Sequence, residues 1–342
     1  MKDFHQMRQR PAYKANHQVY RADTCDTLVE AAQRGAVKLE ALVRGHYPGR
    51  PLGRDELPRV KSVGFWDAAG PQDWGLDWHR NEGLELTYLE SGSAHFATQA
   101  ATHCLNPGEM TITRPWQAHR VGDPNVGPGR LHWLIIDLGV RRPDQPWQWP
   151  AWVVLHRRDL DRLTMILRQN EQPVWIVSGE VQRCWKQIAR AVEADRQGSH
   201  ISHLATYINE LLLLMLEMFD SQRVSLDVRL ISTQRSVKLF LEELAGDVHR
   251  LSHPWTVTEM AEHCGLGLTQ FTALCKQIVN QTPNHYLTHC RIHAAVRMLR
   301  DPRGLSITQI AHRCGFSSSQ YFAKVLREHT GRTPTQVRLA TD

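Results

Sequence analysis

The feature that most constrains this chain is a repeat near its end. "MAEHCGLGLTQFTALCK", Met260 to Lys276, returns as "IAHRCGFSSSQYFAKVLR", Ile310 to Arg327. Ala261, Cys264 and Gly265 match Ala311, Cys314 and Gly315 at an offset of 50, whereas Lys276 and Pro283 match Arg327 and Pro334 at 51. One residue has therefore entered the second turn, within Ser317 to Ser319. Each copy reads as a short helix, a turn at the glycine, a second amphipathic helix and a proline-marked stop, the spacing of a helix-turn-helix. The alanine packs where the helices cross, the glycine takes the tight turn, and Leu266 or Phe316 fills the angle. A duplicated hairpin in an ordinary helical bundle is the bland alternative. The joining stretch "NHYLTHCRIHAAVRMLRD", itself helical in pattern, favours two heads on one shaft.

Charge follows the repeat. Residues 226–342 hold 14 Lys/Arg against 9 Asp/Glu, a net of +5 out of +6 for the whole chain. Joined to that architecture, the excess is an electrostatic footprint for phosphates. The 342 residues, 42% of them apolar, leave room for two or three domains. Seven scattered cysteines without a C-x-x-C pair argue against a disulfide framework or a structural zinc site. No apolar run approaches the ~18 residues of a membrane span. The first residues, "MKDFHQMRQR", lack the apolar segment of a secretory signal, so the expected compartment is the cytoplasm.

Upstream, the texture changes twice. Residues 1–60 read as an N-terminal extension with one helix, Thr24 to Gly45. Thr24 or Asp26 would cap it, Leu28, Ala31, Ala32, Leu39, Leu42 and Val43 share a face, and Gly45 would end it. Residues 61–155 show short alternating runs such as "LELTYL", "EMTITR" and "LHWLIIDL" between Gly and Pro, the spacing of an all-β barrel or sandwich. In residues 156–222 the helical period returns. The stripe Leu204, Ile208, Leu211, Leu212, Met215 and Phe219, flanked by Leu213 and Leu214, is wider than one covered face needs, which predicts a helix shared between two subunits. "DSQRVSLDVR" then reads as a polar linker.

The last block resembles the DNA-binding domain of the arabinose-operon regulator (AraC/XylS) family. Ile310, Ala311, Gly315, Phe316, Ser317, Ser318, Tyr321, Phe322, Gly331, Pro334 and Arg338 carry the likeness in the second unit. Met260, Ala261, Gly265, Leu266, Pro283, Tyr286, Leu287 and Arg291 carry it in the first. The first unit departs from the family pattern at Gly267, Ala273, Cys275 and Asn280, where Ser, Arg, Phe and Gly are usual. A missing arginine removes the commonest bidentate contact to guanine. A recognition helix offers its N-terminal exposed positions to base edges. Those are Ser319, Gln320 and Lys324 in the second unit, with Ser318 as cap or phosphate contact, and Thr269 and Thr272 in the first. Lys276 and Arg327 face phosphates or only solvent.

The segment "HRNEGLELTYLESG" from His79, followed by "LNPGEMTITRPWQAH" to His119, resembles the two motifs of a cupin barrel, the usual sensor of the same family. Asn81 stands where a metal-binding cupin has a second histidine. His79, Glu85 and His119 could still form a three-ligand set, and the bland alternative is polar groups bonded within a pocket. Ten of the eleven tryptophans precede residue 186. Most belong to core, but Trp78 and Trp116 adjoin the motifs and are the choices for an effector wall, beside His79, Glu85 and His119.

The expectation is therefore an α+β multidomain chain, with a cupin-like β-barrel and flanking helices followed by an all-α double helix-turn-helix domain at 226–342. It is expected to be a non-enzymatic transcription regulator without a cofactor. The resemblance implies a double-stranded DNA operator, a small-molecule and sugar-like effector, RNA polymerase and a second copy of the chain as partners. A metal-dependent cupin enzyme with a helical appendage, and an effector-independent DNA-architectural protein, are the alternatives.

Overall fold

The computed structural model describes residues 12–15, 18–22, 25–222, 224–301 and 304–339, which divide into two units meeting at Leu230 and Ile231. Thr24 and the first eleven residues lie outside the described residues.

In the first unit the hairpin β1 (Ala12–Ala15) and β2 (Gln18–Arg21) precedes α1 (Asp26–Gln33). There follow β3 (Lys38–Val43), β4 (Arg50–Pro51), β5 (Val60–Ala68), β6 (Leu76–His79), β7 (Leu84–Gly92), β8 (Ala94–Thr98), β9 (Thr102–Leu105), β10 (Glu109–Thr113), β11 (His119–Val121) and β12 (Gly129–Ile136). The unit closes with α2 (Arg157–Gln169), β13 (Val174–Ile176), α3 (Gly179–Ala194) and α4 (Ile201–Ser221). Seven strands pair in the order β13-β10-β7-β12-β5-β3-β4, and four in the order β6-β11-β8-β9.

Two cores explain why β12 reads as a nearly unbroken apolar run. Leu131, Trp133 and Ile135 point into a cluster shared with Leu76, Phe96 and Val121 of the four-stranded sheet. Leu134 and Ile136, one residue out of phase, join a second cluster with α2, α3 and α4 on the opposite face. A strand buried on both faces loses the alternation of a half-exposed one.

Two expectations are corrected here. The helix expected over Thr24 to Gly45 stops at Gln33, because Gly35 takes the left-handed conformation (φ 71°) while Gly35 and Ala36 donate back to Ala32 and Ala31. Leu39, Leu42 and Val43 lie instead on strand β3, where Leu39 pairs with Trp66 and Leu42 with Val63. Of the residues read as an extension, Lys38–Val43 and Arg50–Pro51 are strands of the seven-stranded sheet. The apolar stripe of α4 is likewise covered within one chain: Leu204, Ile208, Leu211, Leu212, Met215 and Phe219 are all buried in the helix-facing core. Neighbouring helices α3 and α2, together with the sheet core behind them and not a second subunit, account for its width, and Leu213 alone among the flanking leucines is 43% exposed.

The second unit is all helical: α5 (Thr233–Gly246), α6 (Val248–Ser252), α7 (Val257–His263), α8 (Leu268–Val279), α9 (Pro283–Arg300), α10 (Ile307–Arg313), α11 (Ser319–Thr330) and α12 (Pro334–Leu339). One core joins Met260, Ala261 and Phe271 to Ile310, Ala311 and Phe322 through Leu287, Ala294 and Ala295 of α9. The chain thus has a sheet-rich N-terminal domain and a helical C-terminal one, the fold class expected.

Candidate nucleic-acid interface and pocket

The two repeats are built alike at atomic level. Thr256 and Glu259 form a capping box that starts α7, and Ser306 and Gln309 form its counterpart on α10. Each short helix ends in a Schellman turn. Gly265 donates to Glu262 and Leu266 to Ala261; Gly315 donates to His312 and Phe316 to Ala311. Both glycines have positive φ, 69° and 79°. At Gly315 a Cβ would stand 2.2 Å from the Leu251 carbonyl oxygen. That carbonyl accepts from Arg291 Nε at 2.9 Å, so α6, α9 and the second turn meet at one point.

The second helix of each unit then projects. α11 begins properly, with Ser318 accepting from the Tyr321 amide at 3.2 Å; Ser318 is the cap. Ser319 is half-buried, while Gln320, Lys324 and Arg327 are exposed and Tyr321 is 55% exposed. On α8, Thr269 and Lys276 are exposed and Thr272 is half-buried. Lys324 lies 4.0 Å from Glu328 across one turn of α11, both of them exposed, a pairing too weak to withhold the lysine from a phosphate. Tyr321 of α11 and Leu268 (51% exposed) of α8 are also exposed, which sequence alone does not reveal because aromatic and leucine positions on an amphipathic helix read as core.

The departures of the first unit have distinct consequences. Cys275 is fully buried, and Asn280 ends α8 at φ 54°, the role Gly331 plays in α11 at φ 73°. Asn tolerates that conformation. Ala273, aligned with Lys324, is exposed and adds no reading group. Gly267 caps α8 without any side-chain bond, its backbone is extended (φ −72°), and nothing lies within 4 Å of an added Cβ. Gly267→Ser is therefore expected to stabilise the unit by about 0.5–1 kcal/mol, through a cap bond and a stiffer unfolded chain. The check is the denaturant midpoint at unchanged slope.

In the first unit, a narrow cavity of about 30 Å³ lies between the two sheets. Its walls include Trp66, Leu131, Trp133 and Ile135, and its polar side is made by Tyr47, Ser62, His79, Asn81, Glu85 and Thr87. Of the residues expected at an effector site, His79 and Glu85 line it, and His119 stands against Glu85 at 2.9 Å (Nε2 to Oε2). Trp78 and Trp116 are elsewhere. Trp78 is 47% exposed beneath the Arg120 guanidinium, and the Trp116 indole donates to the Val140 carbonyl at 2.6 Å. The tryptophans at the cavity are Trp66 and Trp133, on the inward face of β5 and β12, where strand alternation could have pointed to them.

Asn81 donates to Glu85 Oε2 at 2.7 Å, and Tyr47 donates to Asn81 at 3.1 Å and to buried Glu82 at 2.7 Å. Burial opposes ionisation of Glu85, but the His119 and His79 imidazoles and the Asn81 amide outweigh it and hold the carboxyl down to about 2. Glu85 is thus an ionised acceptor at neutral pH. Its ligand oxygen and the ring nitrogens of His79 and His119 lie within 4.8 Å of one another, so the three residues weighed as an alternative metal set converge.

Two similarly built helix-turn-helix units on one connecting helix define a transcription regulator that binds DNA. Residues 260–340 match the family profile described as a helix-turn-helix domain. The second unit is a helix-turn-helix domain of the AraC/XylS type, the DNA-binding kind found in transcriptional regulators. It is 34% identical over 85 residues to the HTH-type transcriptional regulator AlkR of Acinetobacter baylyi, a match covering 25% of this chain and 28% of that one. With the virulence regulon transcriptional activator VirF of Yersinia enterocolitica it shares 27% identity over 268 residues, 76% of this chain and 90% of the relative. Unsaturated fatty acid bound ToxT from Vibrio cholerae overlays 84% of this chain and 97% of its own at 12% identity, with a TM-score of 0.36, too low to carry a functional argument. No helix among the described residues is long and apolar enough to cross a membrane.

Proposed function

We propose that this regulator reads an operator through the first turns of α8 and α11 and answers to a small-molecule effector held between the sheets of its first unit. The observation that carries the reading is the exposure of Thr269 and of Gln320 with Lys324 at equivalent places on two equally built units. Gln suits adenine and Lys suits guanine or phosphate, while Thr offers its methyl to thymine. Gln320→Ala should relax specificity at one operator position at a cost of about 1–3 kcal/mol. Lys324→Ala should weaken binding and, if its partner is a phosphate, reduce the salt slope by about one. An operator scan in which both variants keep wild-type affinity would remove the assignment.

The effector reading rests on the cavity. An ionised Glu85 accepts hydrogen bonds and repels anions, and Trp66 and Trp133 supply flat apolar walls, which together suit a polyol or sugar-derived ligand. A volume near 30 Å³ accommodates about one water, so a sugar-sized effector requires these walls to part. The helices of residues 156–222 share β12 with the cavity wall and so form the transmitting segment. The effector must favour one arrangement over another, since equal affinity shifts nothing. In a carbohydrate and polyol screen, the expected result is a ligand that raises the melting temperature of the wild type but not of Glu85→Gln. A screen in which no such compound shifts melting or DNA affinity would end this reading.

A second reading is favoured by one observation, the convergence of His79, Glu85 and His119. Imidazole with carboxylate suits iron, manganese or zinc, and a cupin enzyme would require such an ion. Against it, Oε2 of Glu85 already faces the Asn81 amide and His119. Metal analysis of the purified protein separates the two. Pairing of two chains is proposed on avidity alone, since linked reading heads gain through effective concentration. Sedimentation at micromolar concentration, with and without DNA, tests it, and Leu213→Glu probes the exposed side of α4.

A further inference from the structure

Four histidines outside both described sites gather in the second unit. His285, His289 and His293 follow one another at intervals of four on α9, so they share one face. His329 comes to them from the last turn of α11, its ring centroid 5.9 Å from that of His285. The His289 and His293 rings are 4.3 Å apart, with Nε2 to Nε2 at 3.1 Å. Neither an ordinary core position nor a base-reading position needs such a cluster: His285, His293 and His329 are exposed and His289 half-buried.

We infer that His289 and His293, completed by His329, form a binding site for a borderline transition-metal dication of the zinc, nickel or copper class, bridging α9 and α11. At metal–nitrogen distances of about 2.0–2.1 Å, nitrogens 3.1 Å apart subtend roughly 95–100° at the ion, between the octahedral and tetrahedral angles. The pair therefore has the right bite as it stands, and the His329 ring turns in to complete the set. His329 is oriented as metal-bound histidines usually are: its Nδ1 lies 2.9 Å from the Val325 carbonyl, which fixes the tautomer and leaves Nε2 as the ligand atom. Imidazole sets without carboxylate select this class over magnesium or calcium. The electrostatic coupling agrees, since burial and then the neighbouring His293, His329 and His285 all disfavour a proton on His289. A neutral imidazole is the form that binds metal. An ion there ties the last turn of a recognition helix to the shaft that carries both heads.

The test titrates zinc chloride and, separately, nickel chloride into the full chain by calorimetry. The background is His79→Ala, which breaks His79, Glu85 and His119, the one set of three whose ligand atoms already converge among the described residues. Expected is one equivalent bound at micromolar affinity or better, accompanied by a rise in melting temperature. Adding His289→Asn and His293→Asn should weaken that binding by more than the roughly 10–100-fold that loss of an outer-shell partner costs. His329→Asn should weaken it less than the double substitution. All three side chains are at least partly exposed, and circular dichroism confirms that the variants fold. A His79→Ala chain that binds neither ion below millimolar concentration, or a folded double variant that binds as well as its parent, overturns the inference.

Discussion

Leu212→Glu together with Met215→Glu is expected to unfold the N-terminal domain and drive the protein to aggregate, not to release a folded monomer. Both side chains have no exposure and sit among Leu134, Ile136 and Trp185 in the core between the central sheet and the helices. Losing the burial of two such side chains removes about 1.5–3 kcal/mol each. Placing two unpaired carboxylates there adds several kcal/mol more, or forces both to stay protonated. The sum is comparable with the whole stability of a domain, about 5–15 kcal/mol. The measurement is the near-ultraviolet circular dichroism and fluorescence of the tryptophans, nearly all of which lie in this unit, alongside sedimentation. A variant with native spectra that merely halves in mass would restore α4 as a subunit interface.

The second large effect is expected at Gly315. In Gly315→Ala the left-handed conformation costs about 1–2 kcal/mol. The new Cβ must also displace the Leu251 carbonyl, which is backbone, and the Arg291 guanidinium beside it. Overpacking of this kind typically costs about 1–3 kcal/mol, giving roughly 2–5 kcal/mol in all. Because Arg291 also bonds the Leu251 and His253 carbonyls, the shift spreads to α6 and α9. DNA affinity should fall for every operator sequence alike, since the framework fails and not one contact. Gly331→Ala is the internal control: it has the same sign of φ (73°) but nothing within 4 Å of an added Cβ, so it should lose only the conformational part. Equal losses for the two variants in denaturant melts would show that the close approach at Gly315 contributes nothing.

Much of the C-terminal domain was legible because its signals are local. A Gly at the end of a seven-residue helix, a capping residue three positions before Glu or Gln, and a proline at the next start each specify backbone within a turn or two. Two copies at a fixed offset then made one pattern confirm the other. The exposed Gln320 and Lys324 followed from helical phase alone. The cavity was legible only in part. His79, Glu85 and His119 were found because short motifs mark them, but Tyr47, Trp66 and Trp133 come from segments up to 86 residues apart in the chain that pair or face one another only in the folded sheet.

What the sequence determined by itself is the class of most segments and the paired helix-turn-helix units, because propensity, capping and turn chemistry act between near neighbours. Tertiary structure alone decided three other matters. It ended α1 at Gly35 and gave Leu39 and Leu42 to β3, since a run such as "KLEALV" satisfies both periods until a neighbouring strand offers its hydrogen bonds. It covered the α4 stripe with the chain's own helices and sheet core, which no local pattern distinguishes from a partner's surface. And it brought His329 to the histidines of α9, a meeting between residues that are 36 to 44 positions apart and are joined only by the packing of two helices.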